Sequence, residues 1–175
     1  MLQNQHIRAS FCRRTMQLIS LVDLHTGEEL CGKTPTGFFS LIDEDTNKGM
    51  SSWRVGSYMQ CENLNTSCHV HLKSCSTQGI RQWASYELTF RDGSILRVKI
   101  ILDDNSRSLE YETSVDFRLR GASGKSIPRL DFTLPIGYRT ELCRCGVPFG
   151  LLNRPAADHD IPALELRSSA ARCVG

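Results

Sequence analysis

The feature that most constrains this chain is a regular alternation of apolar and polar residues between Tyr86 and Phe117. Three runs show it, at 86–90, 96–102 and 109–117. A period of two places every second side chain of a β-strand on the same face. The alternation therefore predicts a meander of three antiparallel strands, whose inner apolar face must be covered by a second layer of the chain.

Turn signals and charge pairs set the expected register of this meander. Asp92-Gly93-Ser94 contains the Asp-Gly sequence that is typical of tight hairpins, and a three-residue loop is predicted to pair Phe90 with Leu96. The next hairpin is predicted to place Lys99 opposite Glu112 on the outer face. Such a pair contributes only about 0.2–1 kcal/mol, so it adjusts register more than stability.

Shorter apolar segments predict further strands before and after the meander in the sequence. They lie at 7–11, 16–23, 38–42, 53–59, 68–72, 129–134 and 163–166. The sequence shows no convincing amphipathic helix, and the segment 148–162 is predicted to be an irregular loop. Many short strands separated by turn signals favour an all-β domain, an antiparallel β-sandwich over residues 1–166. A flexible tail is predicted at 167–175.

The composition limits the classes of function. A chain of 175 residues with 40% hydrophobic and 23% charged residues is expected to form one soluble globular domain. The net charge of +2 gives no reason to expect nucleic acid or a membrane surface as partner, and no apolar run is long enough to span a bilayer. The N-terminal residues lack the apolar core of a signal peptide, so a cytoplasmic location and eight free thiols are expected.

Histidines and cysteines are the candidate metal ligands. His69-Val70-His71 places two imidazoles on one face of a strand, with Cys61, Cys68 and Cys75 near in sequence. Imidazole and thiolate both bind zinc, yet these spacings match no structural zinc site. Cys143-Arg144-Cys145 is too short for a Cys-x-x-Cys redox motif. An exposed strand face with partly buried thiols is therefore a better interpretation than a zinc site, and no metal site is predicted.

Two acidic clusters are candidates for glycosidic acid–base chemistry, Asp43-Glu44-Asp45 and Asp158-His159-Asp160. That chemistry depends on the separation of two carboxylates in space, and adjacent acidic residues in a loop are usually only solvated. The polar side chains and apolar flanks of the second cluster suit a loop that contacts sugar. Trp53 and Trp83 are large enough to stack on sugars, although such aromatics in a β-sandwich more often belong to the core.

A series of short motifs extends from Leu2 to Leu166. Its members lie at 4–8, 18–23, 26–30, 49–53, 109–117, 147–150, 154–155 and 161–164. Two of them are Thr26-Gly27-Glu28-Glu29-Leu30 and Val147-Pro148-Phe149-Gly150. In their order and spacing these motifs resemble the C-terminal β-domain of class II α-mannosidases, glycoside hydrolase family 38.

The resemblance implies an all-β fold of the galactose-mutarotase-like (supersandwich) type, here incomplete. It implies retaining hydrolysis of α-mannosides by the whole enzyme, with zinc bound in a catalytic α/β domain that precedes the β-domain and is absent from this chain. No catalytic residue, metal ligand or cofactor is therefore expected here. Phe117 and Leu119 stand where relatives have the Trp and Glu of an Asp-Trp-x-Glu motif.

The resemblance also suggests where sugar would be contacted. The loop from Arg154 through Asp158, His159 and Asp160 is the predicted glycan contact, with the alternative that Arg154 only fixes a loop by hydrogen bonds. The expected function is a non-catalytic β-sandwich domain of an α-mannosidase. Its expected partners are the catalytic α-mannosidase domain or a second copy bound through open sheet edges, and a mannose-containing glycan. The alternative is a free-standing carbohydrate-binding or protein-interaction domain.

Overall fold

A computed structural model of the chain describes residues 1–47, 58–122, 124–134, 138–155 and 165–173. The chain divides into two compact units, Met1–Pro135 and Ile136–Gly175. Antiparallel strands dominate the described part of both units, which confirms the predicted all-β class. Within these described ranges no helix has the length and apolar character needed to cross a membrane.

The described part of the first unit contains ten strands. They are β1 (Leu2–Gln3), β2 (Ile7–Phe11), β3 (Leu18–Asp23), β4 (Phe38–Asp45), β5 (Tyr58–Asn63), β6 (Val70–Ser76), β7 (Arg81–Phe90), β8 (Ser94–Asp103), β9 (Glu110–Asp116) and β10 (Ser126–Thr133). One short helix, α1, spans Leu64–Ser67, and a 3₁₀ turn spans Arg91–Gly93. The strands form three antiparallel sheets in the orders β1-β2-β3, β10-β4-β5 and β6-β7-β8-β9.

All three sheets of the first unit contribute to one hydrophobic core. The four-stranded sheet supplies the largest share, because β7 and β8 bury every second residue against the other sheets. Its fully buried members are Tyr86, Leu88, Leu96, Val98, Ile100 and Leu102. Leu2, Leu41 and Leu64 meet them from β1, β4 and α1. The inner apolar face predicted from the alternation is therefore covered by a second layer, as a sandwich requires.

The meander forms with most of its expected register. Lys99 pairs with Glu112, as predicted. The predicted pairing of Phe90 with Leu96 is wrong, because Phe90 pairs with Ser94. The turn has the predicted three residues, but they are the 3₁₀ segment Arg91–Gly93 and not 92–94, and Asp92 has a φ of 57° there. Strand β8 therefore starts two residues earlier, and the buried Ser94 hydroxyl accepts a hydrogen bond from a backbone N–H of the chain after β9.

Other predicted strands also form, with shifted ends. The strand predicted at 38–42 continues to Asp45, so the acidic run belongs to β4 and is not a loop. The strand predicted at 129–134 starts at Ser126 and includes Pro128. Of the strand predicted at 53–59, residues 53–57 lie outside the described residues, and β5 continues to Asn63.

The second unit contains three described strands in the order β12-β11-β13. They are β11 (Tyr138–Val147), β12 (Gly150–Pro155) and β13 (Glu165–Cys173). The loop predicted over 148–162 is wrong in its first part, since β12 pairs with β11 across a tight turn in which Phe149 has a φ of 73°. Strand β13 gives residues 167–173 extended backbone. The domain boundary at 166 and the flexibility of the tail stay predictions.

The Asn65 side chain fixes how α1 joins the sandwich. It is 1% exposed, and its amide accepts a hydrogen bond from the Phe39 N–H at 2.8 Å and donates to the Thr15 carbonyl at 2.8 Å. The same amide nitrogen lies 3.4 Å from the Tyr86 hydroxyl. Burial raises the pKa of Tyr86 to about 12. One buried amide thus satisfies polar groups from three separate segments.

We predict that Asn65→Ala lowers the free energy of unfolding by about 2–3 kcal/mol, because the Phe39 N–H and the Thr15 carbonyl lose their partner inside the protein. Urea denaturation followed by circular dichroism measures the change. Thr66→Ala is the matched control, since the exposed Thr66 hydroxyl only bonds the Asn63 carbonyl, and its effect should stay under about 0.5 kcal/mol. Equal losses in the two variants would contradict the proposed role of the amide.

Candidate functional site

The predicted sugar-contact residues are only partly described by the structure. Arg154 lies in β12, opposite Cys143 of β11, and its side chain is half-buried. It therefore belongs to a strand and not to the predicted loop. Asp158, His159 and Asp160 lie outside the described residues. The contact of these four residues with a glycan stays a prediction.

The acidic run of β4 is held by arginines. Asp43 accepts a hydrogen bond from Arg91 at 2.6 Å, and Arg91 also reaches Glu62 of β5 at 3.1 Å. Arg91 belongs to the 3₁₀ turn between β7 and β8. Its guanidinium therefore ties the tip of the four-stranded sheet to the β4–β5 pair. Both carboxylates are less than a third exposed, so water screens these ion pairs less than it screens surface pairs.

A second arginine neutralises the next acidic residue. Glu44 is 5% exposed and accepts a hydrogen bond from Arg129 of β10. Arg129 also makes two hydrogen bonds of 2.8 Å to Asp131 on its own strand. The Arg129 guanidinium thus links Glu44 of β4 to Asp131 of β10, an arrangement suited to fixing strands.

The outer face of the four-stranded sheet carries an open groove of about 430 Å³. Its polar lining includes Lys73, Ser85, Glu87, Arg97, Lys99 and Glu112. Glu87 lies between two cations, 3.0 Å from Arg97 and 3.7 Å from Lys73. The volume falls in the range of small-molecule sites, about 300–1,000 Å³. Hydroxyl, ammonium and carboxylate groups on a shallow surface can hydrogen-bond a polyhydroxylated ligand.

Trp83 lies beside this groove and not in the main core, contrary to the expectation for a sandwich tryptophan. Its ring is half-buried on the outer face, 5.3 Å from the Lys99 ammonium. It pairs across the strands with Ile101, which is 1% exposed although it occupies an outward position. The apolar Ile101 interrupts the alternation of its strand, and that interruption is the sequence signal for an outer-face cluster. Trp53 lies outside the described residues.

Four histidines form two close pairs. His69 Nδ1 lies 3.1 Å from His71 Nε2, and both side chains are exposed, as the same-face prediction required. His6 Nδ1 lies 2.8 Å from His25 Nε2. The sequence did not predict the His6–His25 pair, because the two residues are 19 positions apart and no local pattern connects them. Within the described residues no group of three or more His, Cys, Asp or Glu side chains is arranged to hold a metal ion.

The described cysteines differ in thiol acidity. Six cysteines are described as free thiols: Cys12, Cys31, Cys61, Cys68, Cys75 and Cys145. A hydrogen bond from the Thr15 side chain, assisted by backbone hydrogen bonds, lowers the pKa of Cys12. Burial, assisted by the Glu29 carboxylate, raises the pKa of Cys31 to about 11. Because the thiolate is the reacting form, Cys12 is the more nucleophilic of the two at neutral pH.

Comparison with known proteins adds one match. A family model described as the glycosyl hydrolases family 38 C-terminal domain matches residues 2–163. The matched segment contains all ten described strands of the first unit and the β11–β12 hairpin of the second. No curated protein matches the chain.

We predict that Arg91→Ala destabilises the chain by about 1–2 kcal/mol, because two partly buried carboxylates of the opposite sheet lose their cation. The change in urea midpoint at low and high salt measures this effect. Arg118→Ala is the matched control, since its ion pair with Asp116 is exposed and belongs to one strand end. Equal urea midpoints for Arg91→Ala and Arg118→Ala would contradict the role of Arg91 in connecting the two sheets.

A second prediction concerns thiol reactivity. At pH 8, iodoacetamide should alkylate Cys12 faster than Cys31, because Cys12 has the lowered pKa and Cys31 is 8% exposed. Mass spectrometry of timed samples measures the two rates. Raising the pH towards 11 should reduce the difference between the two alkylation rates, since the Cys31 thiol then ionises. Faster labelling of Cys31 at pH 8 in the folded chain would contradict the assigned environments.

Proposed function

We propose that this chain, which belongs to the glycosyl hydrolase family 38 C-terminal domains, supplies the non-catalytic β-sandwich part of an α-mannosidase. The observation that carries the proposal is the match over residues 2–163, which covers an all-β sandwich with one shared core. The reaction of the whole enzyme would be the retaining hydrolysis of α-mannosides. In that enzyme the reacting groups would belong to the catalytic domain.

The arrangement of the acidic residues supports a non-catalytic role. A retaining glycosidase needs two carboxyl groups about 5–5.5 Å apart on either side of the scissile bond, one of them free to give a proton. Asp43 and Glu62 bind the same guanidinium, and Glu44 binds Arg129. These three carboxylates therefore form ion pairs that hold strands together.

The donor set of the described residues does not fit a catalytic zinc ion either. Such sites use three protein ligands and leave one position for water. Each described histidine pair offers two imidazoles. Any zinc of the enzyme would therefore be held by the catalytic domain.

The sheet edges are the proposed contact with a catalytic domain or with a second copy. Among the described strands, β6 and β9 are the outer members of the four-stranded sheet. Leu72 on β6 and Val115 on β9 are about half exposed. An open edge offers backbone donors and acceptors, and the neighbouring apolar side chains favour burial by a partner.

Glycan contact is the second candidate function, and the groove on the four-stranded sheet favours it. The groove combines a suitable volume with hydroxyl, amine and carboxylate groups. Trp83 at its side provides a ring whose fluorescence would respond to a bound sugar. This candidate is compatible with the first, because a β-domain that binds glycan can position substrate for a separate catalytic domain.

The proposed non-catalytic role predicts no hydrolysis by the purified chain. Incubation with an aryl α-mannoside, with and without added Zn²⁺, should release no more aryl product than buffer does. Zinc-dependent release by residues 1–175 alone would overturn the proposal. A chain heated past its unfolding transition serves as the control for contaminating activity.

Glycan contact by the groove is tested by tryptophan fluorescence. In a Trp53→Phe background the remaining signal comes from Trp83, and mannose oligomers should quench or shift it. Glu112→Ala should weaken the response, because Glu112 lines the groove, whereas Arg154→Ala tests the sugar contact predicted from the sequence. No response in Trp53→Phe, with the fold intact, would remove the groove as a glycan site.

A further inference from the structure

The His69–His71 pair lies at the start of β6: His71 is the second residue of the strand and His69 directly precedes it. The two residues alternate with Val70, so both imidazoles leave the same side of the extended backbone. The backbone of β6 pairs Val70 with Leu88 and His71 with Glu87 of β7, so the ladder fixes the chain from Val70 onward, directly after His69. The ring centroids are 4.2 Å apart and the rings are tilted by 49°.

The separation of the ring nitrogens matches the bite of one metal ion. With metal–nitrogen bonds of about 2.05 Å, the 3.1 Å between His69 Nδ1 and His71 Nε2 corresponds to an angle of roughly 100° at the ion. Adjacent ligands in octahedral and tetragonal complexes subtend roughly 90°, and imidazole is a preferred ligand of nickel and copper. We propose that His69 and His71 form a bidentate site for a divalent transition-metal ion, with Ni²⁺ and Cu²⁺ as the best-fitting ions.

The local chemistry allows both nitrogens to face the ion. Without metal, one imidazole N–H must donate to the other ring across the 3.1 Å gap. When the ion binds, the donor ring takes its other tautomer, so both rings present a lone pair and no proton leaves the protein. Both side chains are exposed, so water can fill the remaining coordination positions.

The neighbouring charged groups limit the site to two protein ligands. Glu87 lies opposite His71, but its carboxylate is engaged by Arg97 and Lys73. Those cations make Glu87 a poor third ligand. The site is therefore an open one with two imidazoles, and its affinity comes from their close placement at the start of β6.

The His6–His25 pair provides a comparison within the same chain. Its nitrogens are 2.8 Å apart, which corresponds to roughly 85° at an ion with bonds of about 2.05 Å. The His6 side chain is half-buried, and the two residues lie on separate turns joined by the hydrogen bond from the Leu24 N–H to the His6 carbonyl. Burial leaves less room for water ligands, so the proposal is confined to His69 and His71.

The site does not rest on the proposed function, and it departs from the sequence prediction that the chain holds no metal. The test uses the full chain without an affinity tag. Exposed thiols are first alkylated in every sample, because thiolates also bind these ions and Cu²⁺ oxidises them. Ni²⁺ is then titrated by isothermal calorimetry into the wild type and into His69→Gln, His71→Gln and His25→Gln.

The wild type should bind Ni²⁺, and His69→Gln and His71→Gln should each lose one equivalent or bind it at least about tenfold more weakly. His25→Gln should keep that equivalent. Equal urea midpoints show that the exposed substitutions leave the fold intact. Cu²⁺ electron paramagnetic resonance should show two nitrogen ligands in the wild type and fewer in His71→Gln. Unchanged binding in both His69→Gln and His71→Gln, or no binding by the wild type, would overturn the proposal.

Discussion

Burial of the inner face of β7 and β8 is the constraint on which the rest of the structure depends. Leu88, Leu96 and Ile100 are fully buried, and each such side chain is worth about 1.5–3 kcal/mol when removed from water. A four-stranded sheet cannot cover its own face. The strands of the other two sheets and the short helix are therefore required as a second layer, and their apolar residues join the same cluster.

Polar links then set the geometry that burial alone leaves undefined. Asn4 is 7% exposed and bonds the carbonyls of Asp103 and Ser106 at 2.7 Å, which joins the start of the chain to the end of β8. Asn65 orients α1, and Arg91 connects the tip of the β7–β8 hairpin to β4 and β5. Hydrophobic contacts are non-directional, whereas the hydrogen bonds and ion pairs of these side chains form in only one arrangement of the strands. The ion pairs of Arg91 thus have a structural role in the described part of the sandwich.

The sequence predicted those features that depend on local periodicity. The alternation in the meander identified its strands and the pairing of Lys99 with Glu112. It misplaced the partner of Phe90 because the position of the turn depends on the backbone conformation at Asp92, which alternation does not encode. The strand position of Arg154 was missed because Pro148, Gly150 and Pro155 lie in one short segment, a composition typical of loops. The His6–His25 pair depends on chain folding and has no local signal.

The family relationship and the sandwich are the basis on which we propose a supporting role in α-mannoside hydrolysis for this chain. In that role the open strand edges would dock a catalytic domain, and the outer groove would contact glycan. The most direct test is analytical ultracentrifugation of the chain mixed with a separately expressed catalytic domain of a family 38 α-mannosidase, followed by an assay of the mixture. We predict a complex whose zinc-dependent mannosidase activity exceeds that of the catalytic domain alone. Two independent sedimenting species, with activity unchanged by the chain, would contradict it.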